Sequence, residues 1–344
     1  MNRYYVSELY PHALHTVGIL REDLEVLLAE GGYLKIQLKN SISIVNKCKQ
    51  YAKAFTLAIQ LPKNSVVFFH FPLRSRVIRF FLSLIKKRGI CIIGFIHDLE
   101  GFRDKDKKIL EEELFWLQYF KVIIAQNKVM KNWVEARLPQ LAVISIDFYD
   151  YLAKEFQCKP RFISNEIAFA GNLSKAPFIY KLDLLTQLKF HIYGQTLNIA
   201  KPTNTIYHGL VEPRSLHNII QGSYGLVWDG PNVESCTEIG EYLKINMPYK
   251  MALYTMAELP LIVWNQSAMA EWVLENQIGI AVHSLMDLPT ILNKVKEEHY
   301  EKMIKNLQGI KLQITKGTYF KIALKNAEEF CGYSSSLRTA KKAS

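Results

Sequence analysis

Short apolar runs alternate with helix-like segments along most of this chain, and no other feature limits its fold as strongly. Between residues 224 and 282, strand-like runs at 224–229, 259–264 and 278–282 are separated by helical patterns at 247–257 and 268–275. Such alternation is typical of βαβ units, whose strands lie parallel in one sheet. The sequence therefore predicts an α/β fold with parallel sheets.

The same alternation occupies two blocks, which predicts two doubly wound, Rossmann-like domains. We expect the first domain at residues 1–150 and the second at 161–316, with a weakly periodic linker at 149–161. A final helix is predicted at 317–331, and a disordered tail at 332–344. A chain of 344 residues is long enough to bury two cores of ordinary size.

Composition limits the compartment and the partners. The chain is 49% hydrophobic, but no apolar run approaches the ~18 residues that span a bilayer, and the amino end lacks the apolar core of a signal peptide. Five scattered cysteines without a CxxC pair predict a reducing interior with neither a disulfide framework nor structural zinc. We therefore expect a cytoplasmic protein.

The net charge of +11 fits phosphorylated substrates, an anionic membrane surface or nucleic acid, and does not choose among them. A helix with a basic side is predicted at residues 74–88. It could rest on an anionic membrane as a peripheral contact; the alternative is a core-facing helix whose basic side is solvated. No nucleic-acid motif is present, so we expect no nucleic-acid partner.

A lysine stands where the first turn of a helix usually carries an acid. Asn246 is predicted to cap the helix at 247–257, and Pro248 suits its first turn. Lys250 then adds a cation to a helix end that is already positive. Free backbone N–H groups beside a lysine make a cradle for a phosphate or a diphosphate. The alternative is a lysine turned out to solvent.

A second candidate phosphate loop is Gly171-Asn172-Leu-Ser-Lys175, directly after the predicted strand at 167–170. Ligands of open α/β sheets bind outside the carboxyl ends of the strands, and glycine lets the backbone approach them closely. Because neither a Walker motif nor G-x-G-x-x-G is present, the sequence gives little support for an ATP P-loop or NAD protein. The alternative is an ordinary βα turn.

His97 and Asp98 follow the most apolar strand of the first domain, predicted at 90–96. Either side chain could take a proton from a hydroxyl group or hold a substrate at the edge of a cleft. The alternative is that Asp98 caps the following turn and His97 is a rim histidine with satisfied hydrogen bonds. Asp104-Lys-Asp106 matches a D-x-D metal signature, but we interpret it as capping of a helix start, and we expect no metal site.

Residues 242–250, with Gly225-Leu-Val-Trp228 before them and Pro260-Leu-Ile-Val263 after them, resemble the donor-binding half of the glucosyltransferase 3-type enzymes. These glycosyltransferases extend glycans on bacterial serine-rich-repeat adhesins, and bacterial galactofuranosyltransferases share the pattern. The resemblance covers residues 1–331 and is densest after Ala168. It implies two Rossmann-like domains facing a cleft (the GT-B type), with the final helix crossing back to the first domain.

The resemblance also implies site residues. Lys175 stands where the family has an arginine that contacts the donor diphosphate, and Tyr207 matches a tyrosine that reaches the phosphates. Thr16 matches a threonine that meets the same group from the first domain. The predicted donor site comprises Lys250, Asn246, Tyr249, Tyr207, Lys175, Asn172, Gly171, Thr16 and Ser267, and the predicted catalytic residues are Asp98 and His97.

The function that the resemblance implies is metal-independent transfer of a hexose, glucose first, from a UDP-sugar to a GlcNAc-bearing glycoprotein. The UDP-sugar is the donor substrate, no cofactor is expected, and a homo-oligomer is implied. One alternative is a galactofuranosyltransferase acting on a lipid-linked polysaccharide precursor. Another is a catalytically silent GT-B protein that binds a glycosylated partner.

Overall fold

Two six-stranded parallel sheets form the framework of the computed structural model, which describes residues 2–8, 16–38, 44–153, 160–195 and 202–332. The strand order is β2-β1-β3-β4-β5-β6 in the first sheet and β12-β11-β10-β7-β8-β9 in the second. We call each sheet with its helices a lobe. The expected α/β fold with two Rossmann-like units is confirmed.

The strands of the first lobe are β1 Arg3–Glu8, β2 Leu34–Leu38, β3 Val66–Phe71, β4 Cys91–Ile96, β5 Val122–Ala125 and β6 Ala142–Ser145. Its helices are α1 Thr16–Glu30, α2 Ile44–Gln60, α3 Arg76–Lys87, α4 Glu100–Arg103, α5 Lys107–Leu117 and α6 Lys128–Arg137. Strands β3 and β5 are buried at every position, because helices cover both faces of the sheet.

The strands of the second lobe are β7 Glu166–Ala170, β8 Lys189–Tyr193, β9 Thr205–Gly209, β10 Tyr224–Val227, β11 Leu261–Trp264 and β12 Gly279–Val282. Its helices are α7 Pro213–Ile219, α8 Lys250–Met256, α9 Ala270–Glu275, α10 Leu288–Leu292 and α11 Glu297–Ile314. Four 3-10 helices lie at Leu173–Lys175, Pro177–Leu184, Glu238–Lys244 and Leu285–Asp287. The last long helix is α12, Thr318–Phe330.

Two helices differ from the sequence prediction. The apolar periodicity of the sequence also predicts helices at 176–188 and 289–307. The first is a 3-10 helix that ends at Leu184, and the second is interrupted between α10 and α11. The interruption lets Tyr300, at the start of α11, turn into the core and donate a hydrogen bond from its hydroxyl to the Ser223 carbonyl (2.7 Å). A buried hydroxyl needs such a partner, so the tertiary contact outweighs helix continuity.

Helix α12 crosses back to the first lobe, as expected. Phe320 is fully buried, with its ring 5.7 Å from Phe68 of β3 and 6.0 Å from Phe95 of β4. The buried Asp150 carboxylate accepts the backbone N–H of Phe320 (2.7 Å), and burial raises the pKa of this acid to about 7. The first lobe is therefore completed by residues from the far end of the chain. The tail predicted to be disordered, from residue 333 onward, lies outside the described residues.

Cys91 at the start of β4 and Cys331 after α12 form a disulfide, with Cα atoms 5.8 Å apart. The expectation that no disulfide forms is wrong for this pair, because the crossing helix brings together residues 240 positions apart. The cysteine argument for a reducing compartment therefore no longer holds, and the cytoplasmic location stays a prediction. In the described part of the chain, no helix combines the length and apolarity that crossing a membrane requires.

The apolar side of α3 belongs to the core. Val77, Ile78, Phe81, Leu82 and Ile85 are all buried. The sequence left open whether this helix lies on a membrane or faces the core. The structure shows that the apolar side of α3 faces the core. A peripheral membrane contact through its basic side stays a prediction.

We expect Phe320→Ala to lower the free energy of unfolding by about 3–5 kcal/mol, because it empties a filled site between the crossing helix and the first sheet. Ile322→Ala is the matched control on the same helix, since its side chain is 56% exposed; a change within about 0.5 kcal/mol is expected. Urea unfolding of both variants measures the difference. Equal effects would contradict the role assigned to α12.

Candidate active site

A cavity of about 150 Å³ lies between the two lobes, at the carboxyl ends of the strands. The first lobe contributes Leu20, His97, Asp98, Arg103, Gln126 and Tyr149 to its wall. The second lobe contributes Lys175, Asp229, Ile239, Tyr242, Asn246, Met247, Pro248 and Tyr249. Ligand pockets usually measure about 300–1,000 Å³, so this cavity is smaller than a typical ligand site.

The segment at residues 238–249 holds the lobes together, and we call it the latch. It was predicted to be a polar loop, but the 3-10 helix Glu238–Lys244 places Tyr242 in the core of the first lobe. There the Tyr242 hydroxyl accepts the backbone N–H of Leu99 (2.8 Å) and donates to Asp98. The Asn127 side chain donates to the Ile245 carbonyl (3.0 Å). The latch thus belongs to the second lobe in sequence and to the first lobe in packing.

Gln126 joins the latch to the candidate catalytic residues. Its side-chain amide donates to the His97 carbonyl (2.7 Å) and accepts the backbone N–H of Met247 (2.8 Å). The position of His97 is therefore coupled to the position of the latch.

His97 lines the cavity and is 7% exposed. Its Nε2 atom is 2.8 Å from Nδ1 of the buried His70, while its Nδ1 atom has no hydrogen-bond partner among the described residues. Burial, with the nearby Arg21 and His70, lowers the pKa of His97 well below its usual value. The lowered pKa favours the neutral ring, whose Nδ1 atom is the nitrogen without a partner in the described part of the chain.

Asp98 is engaged by neighbours on both lobes. It forms an ion pair with Arg103 of α4, in addition to its hydrogen bond with Tyr242. Burial raises the pKa of Asp98, and the charges of Arg103 and of Lys175, across the cavity, oppose that shift. Its carboxylate orients Arg103 more directly than it reaches a substrate.

Helix α8 begins at Lys250, and Tyr249, not Asn246, precedes it. The prediction that Asn246 caps this helix is wrong, because the latch keeps Asn246 in the cavity wall before the helix begins. The Lys250 ammonium lies 3.0 Å from the Asp229 carboxylate, 4.5 Å from the Phe169 ring centre and beside the backbone of Gly171. Lys250 itself does not line the cavity, whereas its partner Asp229 forms part of the wall.

The other predicted phosphate contacts lie around Gly171. Lys175 lines the cavity, whereas the Asn172 side chain accepts the backbone N–H of Ser174 (3.1 Å) and caps a 3-10 turn. The Tyr207 hydroxyl donates to the Gly194 carbonyl (2.6 Å), and a Cβ atom at Gly194 would meet the Gly171 carbonyl at 2.2 Å. Tyr207 is therefore a neighbour of the Gly171 loop, of which only Lys175 lines the cavity.

The remaining predicted donor residues differ in their surroundings. Tyr249 lines the cavity and donates from its hydroxyl to the buried Asp23 (3.4 Å). Ser267 follows β11 and lies outside the cavity wall. Its buried hydroxyl has no hydrogen-bond partner among the described residues, and neither has the Oδ1 atom of Asn246. Thr16 begins α1, and its side chain lies outside the described residues. Their roles in donor binding stay predictions.

Three residues of this site were not predicted from the sequence. His70, Gln126 and Tyr242 act on the cavity through buried hydrogen bonds to partners far away in the chain. The only available signal was position, since His70 and Gln126 come at or just after the carboxyl ends of apolar strands. Tyr242 carried no such signal, because its partner lies 143 positions earlier.

Two models of one family match this chain. The glucosyltransferase 3-like N-terminal domain matches residues 3–137, and the glucosyltransferase 3-like C-terminal domain matches residues 167–327. The β-1,6-galactofuranosyltransferase WbbI of Escherichia coli K12 is 29% identical over 292 residues, covering 82% of this chain and 84% of the relative. Glucosyltransferase 3 of Streptococcus gordonii is 25% identical over 253 residues, covering 72% and 73%.

Solved structures share the fold at low identity. Anabaena HepE in complex with UDP and glucose superposes with a TM-score of 0.61 at 11% identity, covering 97% of this chain and 100% of that one. An E. coli trehalose-6-phosphate structure bound with UDP-2-fluoro glucose gives a TM-score of 0.63 at 12% identity, with the same coverage. These similarities establish the GT-B arrangement of the two lobes.

We expect Tyr242→Phe to loosen the latch, because the buried N–H of Leu99 loses its acceptor at a cost of about 1–3 kcal/mol. Tyr254→Phe is the matched control: its buried hydroxyl accepts the N–H of Ala170 and donates to the Leu226 carbonyl, entirely within the second lobe. Both variants should lose similar stability. Only Tyr242→Phe should speed amide exchange at Leu99 and increase the radius of gyration in X-ray scattering. If Tyr254→Phe opens the molecule equally, the latch assignment is wrong.

Proposed function

The chain belongs to the glucosyltransferase 3-like family of glycosyltransferases, and we propose that it transfers a hexose from a UDP-sugar to a GlcNAc-bearing glycoprotein. Glucose is the first candidate for the hexose. The observation that carries this proposal is the cavity between the lobes, with His97 on one wall and Lys175 and Asp229, backed by Lys250, on the other. A transferase needs such groups on facing walls, because the acceptor hydroxyl and the leaving diphosphate must both be positioned at the same sugar carbon.

The donor diphosphate is proposed to lie against Lys250, Lys175 and the backbone of Gly171. The side chain of Lys250 is 12% exposed and already held in place by Asp229, so its ammonium loses little freedom when a second anion approaches. A Cβ atom built at Gly171 would lie 3.7 Å from the ammonium, so the ammonium lies beside the loop backbone. The unpaired polar atoms of Asn246 and Ser267 support a ligand nearby, because buried polar groups normally have partners.

The acceptor is proposed to lie on the His97 side. Its hydroxyl oxygen attacks the anomeric carbon, and the bond from that carbon to the diphosphate oxygen breaks. The hydroxyl proton passes to His97 Nδ1 or to the departing phosphate, and the lysines stabilise the negative charge that develops on UDP. Asp98 orients Arg103 and, through Tyr242, links this side of the cavity to the latch.

Turnover is proposed to need no metal ion, because both aspartates of the D-x-D match already have other partners. Asp106 caps α5 by accepting the backbone N–H groups of Lys108 and Ile109, and Asp104 pairs with Arg103. The two lysines near the diphosphate supply positive charge that a metal supplies in other glycosyltransferases. Retained release of UDP in the presence of EDTA tests this point, and a loss restored by Mn²⁺ would refute it.

A galactofuranosyltransferase that acts on a lipid-linked precursor is the second candidate. It is favoured by WbbI, which matches this chain over a greater length and at higher identity than the S. gordonii enzyme. Release of UDP from UDP-glucose and from UDP-galactofuranose, each with a GlcNAc-bearing glycopeptide or a lipid-linked sugar, separates the two. A silent glycan-binding protein would release UDP from neither donor. The homo-oligomer implied by the resemblance is tested by light scattering on the full chain.

We expect Lys250→Met to weaken UDP binding by about 10- to 100-fold, because one charge-assisted contact to the diphosphate is lost. Methionine keeps an apolar chain over Phe169, so the fold should survive. Lys189→Met is the control, because this lysine pairs with Glu166 at the amino ends of strands β8 and β7, at the opposite end of the strands from the cavity. Asp229→Asn should keep or raise UDP affinity, since it removes a negative charge beside the diphosphate. Unchanged affinity of Lys250→Met in calorimetry would rule out the proposed diphosphate site.

A further inference from the structure

The positive charge of this protein is concentrated in one continuous stretch. Between residues 31 and 97 there are twelve lysines and arginines and no aspartate or glutamate, whereas the whole chain has a net charge of +11. The rest of the chain is therefore close to neutral. A charge excess confined to one fifth of a sequence indicates a local partner and not a general solubility device.

Most of these charges lie on two neighbouring helices of the first lobe, α2 and α3, which we call the basic layer. The two helices share one core cluster, and their contact includes Tyr51 of α2 and Phe80 of α3, with ring centres 5.2 Å apart. Arg74 and Arg79 pair with Glu100 and Glu112. Six cations on the two helices form no ion pair with any described residue: Lys47, Lys49, Lys53, Arg76, Lys86 and Lys87.

Helix α2 also carries an exposed apolar stripe. Val45, Cys48, Ala52, Phe55 and Ile59 recur at intervals of three and four residues, which places them along one side of the helix. All five are exposed, and Val45, Phe55 and Ile59 are exposed by 64%, 50% and 55%. The buried side of α2 is formed instead by Ala54 and Ala58. The stripe is therefore additional to the core and has no partner within the described chain.

We propose that the basic layer docks on an anionic lipid bilayer. The α2 helix contains three lysines and no acid, and its apolar stripe runs beside them, which is the composition of helices that lie in a membrane interface. Val45, Phe55 and Ile59 enter the acyl boundary, while the unpaired cations of both helices meet the lipid phosphates. A second copy of this surface would bring like charges together, and nucleic acid would leave the apolar stripe without a role.

The orientation of the layer suits an enzyme that works beside a membrane. Helices α2 and α3 each follow a strand of a parallel sheet. Their first turns therefore lie at the carboxyl ends of the strands, the end of the sheet at which the cavity lies. A bilayer against the layer thus lies beside the cleft, not behind the molecule. The proposal goes beyond the transfer reaction and does not depend on it, because membrane binding is measured without any sugar nucleotide.

The test is sedimentation of the full chain with vesicles of phosphatidylcholine alone or mixed with phosphatidylglycerol, at low and at high salt. The wild type is expected to bind only the mixed vesicles, and less at high salt. Lys47→Glu, Lys49→Glu and Lys53→Glu together should weaken binding on the order of a hundred-fold. Val45→Ser, Phe55→Ser and Ile59→Ser together should weaken it at least about ten-fold. These side chains are exposed, so thermal unfolding should stay unchanged.

Matched controls come from the opposite end of the chain. Leu312→Ser with Ile322→Ser removes equally exposed apolar groups. Lys296→Glu, Lys302→Glu and Lys305→Glu reverse three exposed charges in the first half of α11 and just before it. Neither set should change vesicle binding. Absence of wild-type binding overturns the proposal. So does equal binding of duplex DNA that ignores the serine variants, which would indicate nucleic acid. A wild-type dimer that the serine variants convert to a monomer, without vesicle binding, would assign the stripe to a second copy.

Discussion

The two lobes depend on one buried set of hydrogen bonds, centred on the Tyr242 hydroxyl. It accepts an amide N–H from the fully buried Leu99 and donates to Asp98 at the wall of the cavity. An unpaired amide at such a place is costly, so the latch can leave the first lobe only as a unit. Because Gln126 connects the same segment to His97, any movement of the latch also moves the catalytic side of the cavity.

Some polar atoms near the cavity have hydrogen-bond or ion-pair partners, and others have none. Asp98 and Lys250 have strong partners, whereas His97 Nδ1, Asn246 Oδ1 and the Ser267 hydroxyl have none among the described residues. Native proteins tolerate few such groups, and those they keep usually meet a ligand. The charged residues hold the geometry of the cleft, whereas the buried neutral groups are left unpaired in the part of the chain that the structure describes. This division agrees with a family whose members transfer sugars.

All twelve strands were predictable from the sequence, because buried parallel strands are continuous apolar runs such as those of β3 and β5. The carboxyl ends of those strands also indicated His97, Asp98 and the Gly171 loop. What could not be predicted depends on distant partners. The latch helix forms because Tyr242 fills a site in the other lobe, the start of α8 moves with it, and Cys91 meets Cys331 only after α12 has crossed back. None of these partners is visible in a local window.

The path of α12 has a consequence for co-translational folding of the protein. Phe320 fills the core between β3 and β4, and Glu328 accepts hydrogen bonds from Tyr33 and Arg3 at the other end of the chain. The amino-terminal lobe therefore stays unsealed during synthesis until residues 318–330 have been translated. Domains usually fold in order as they emerge. Here the amino-terminal lobe must wait for α12, and a nascent chain exposes an open sheet face that chaperones are suited to cover.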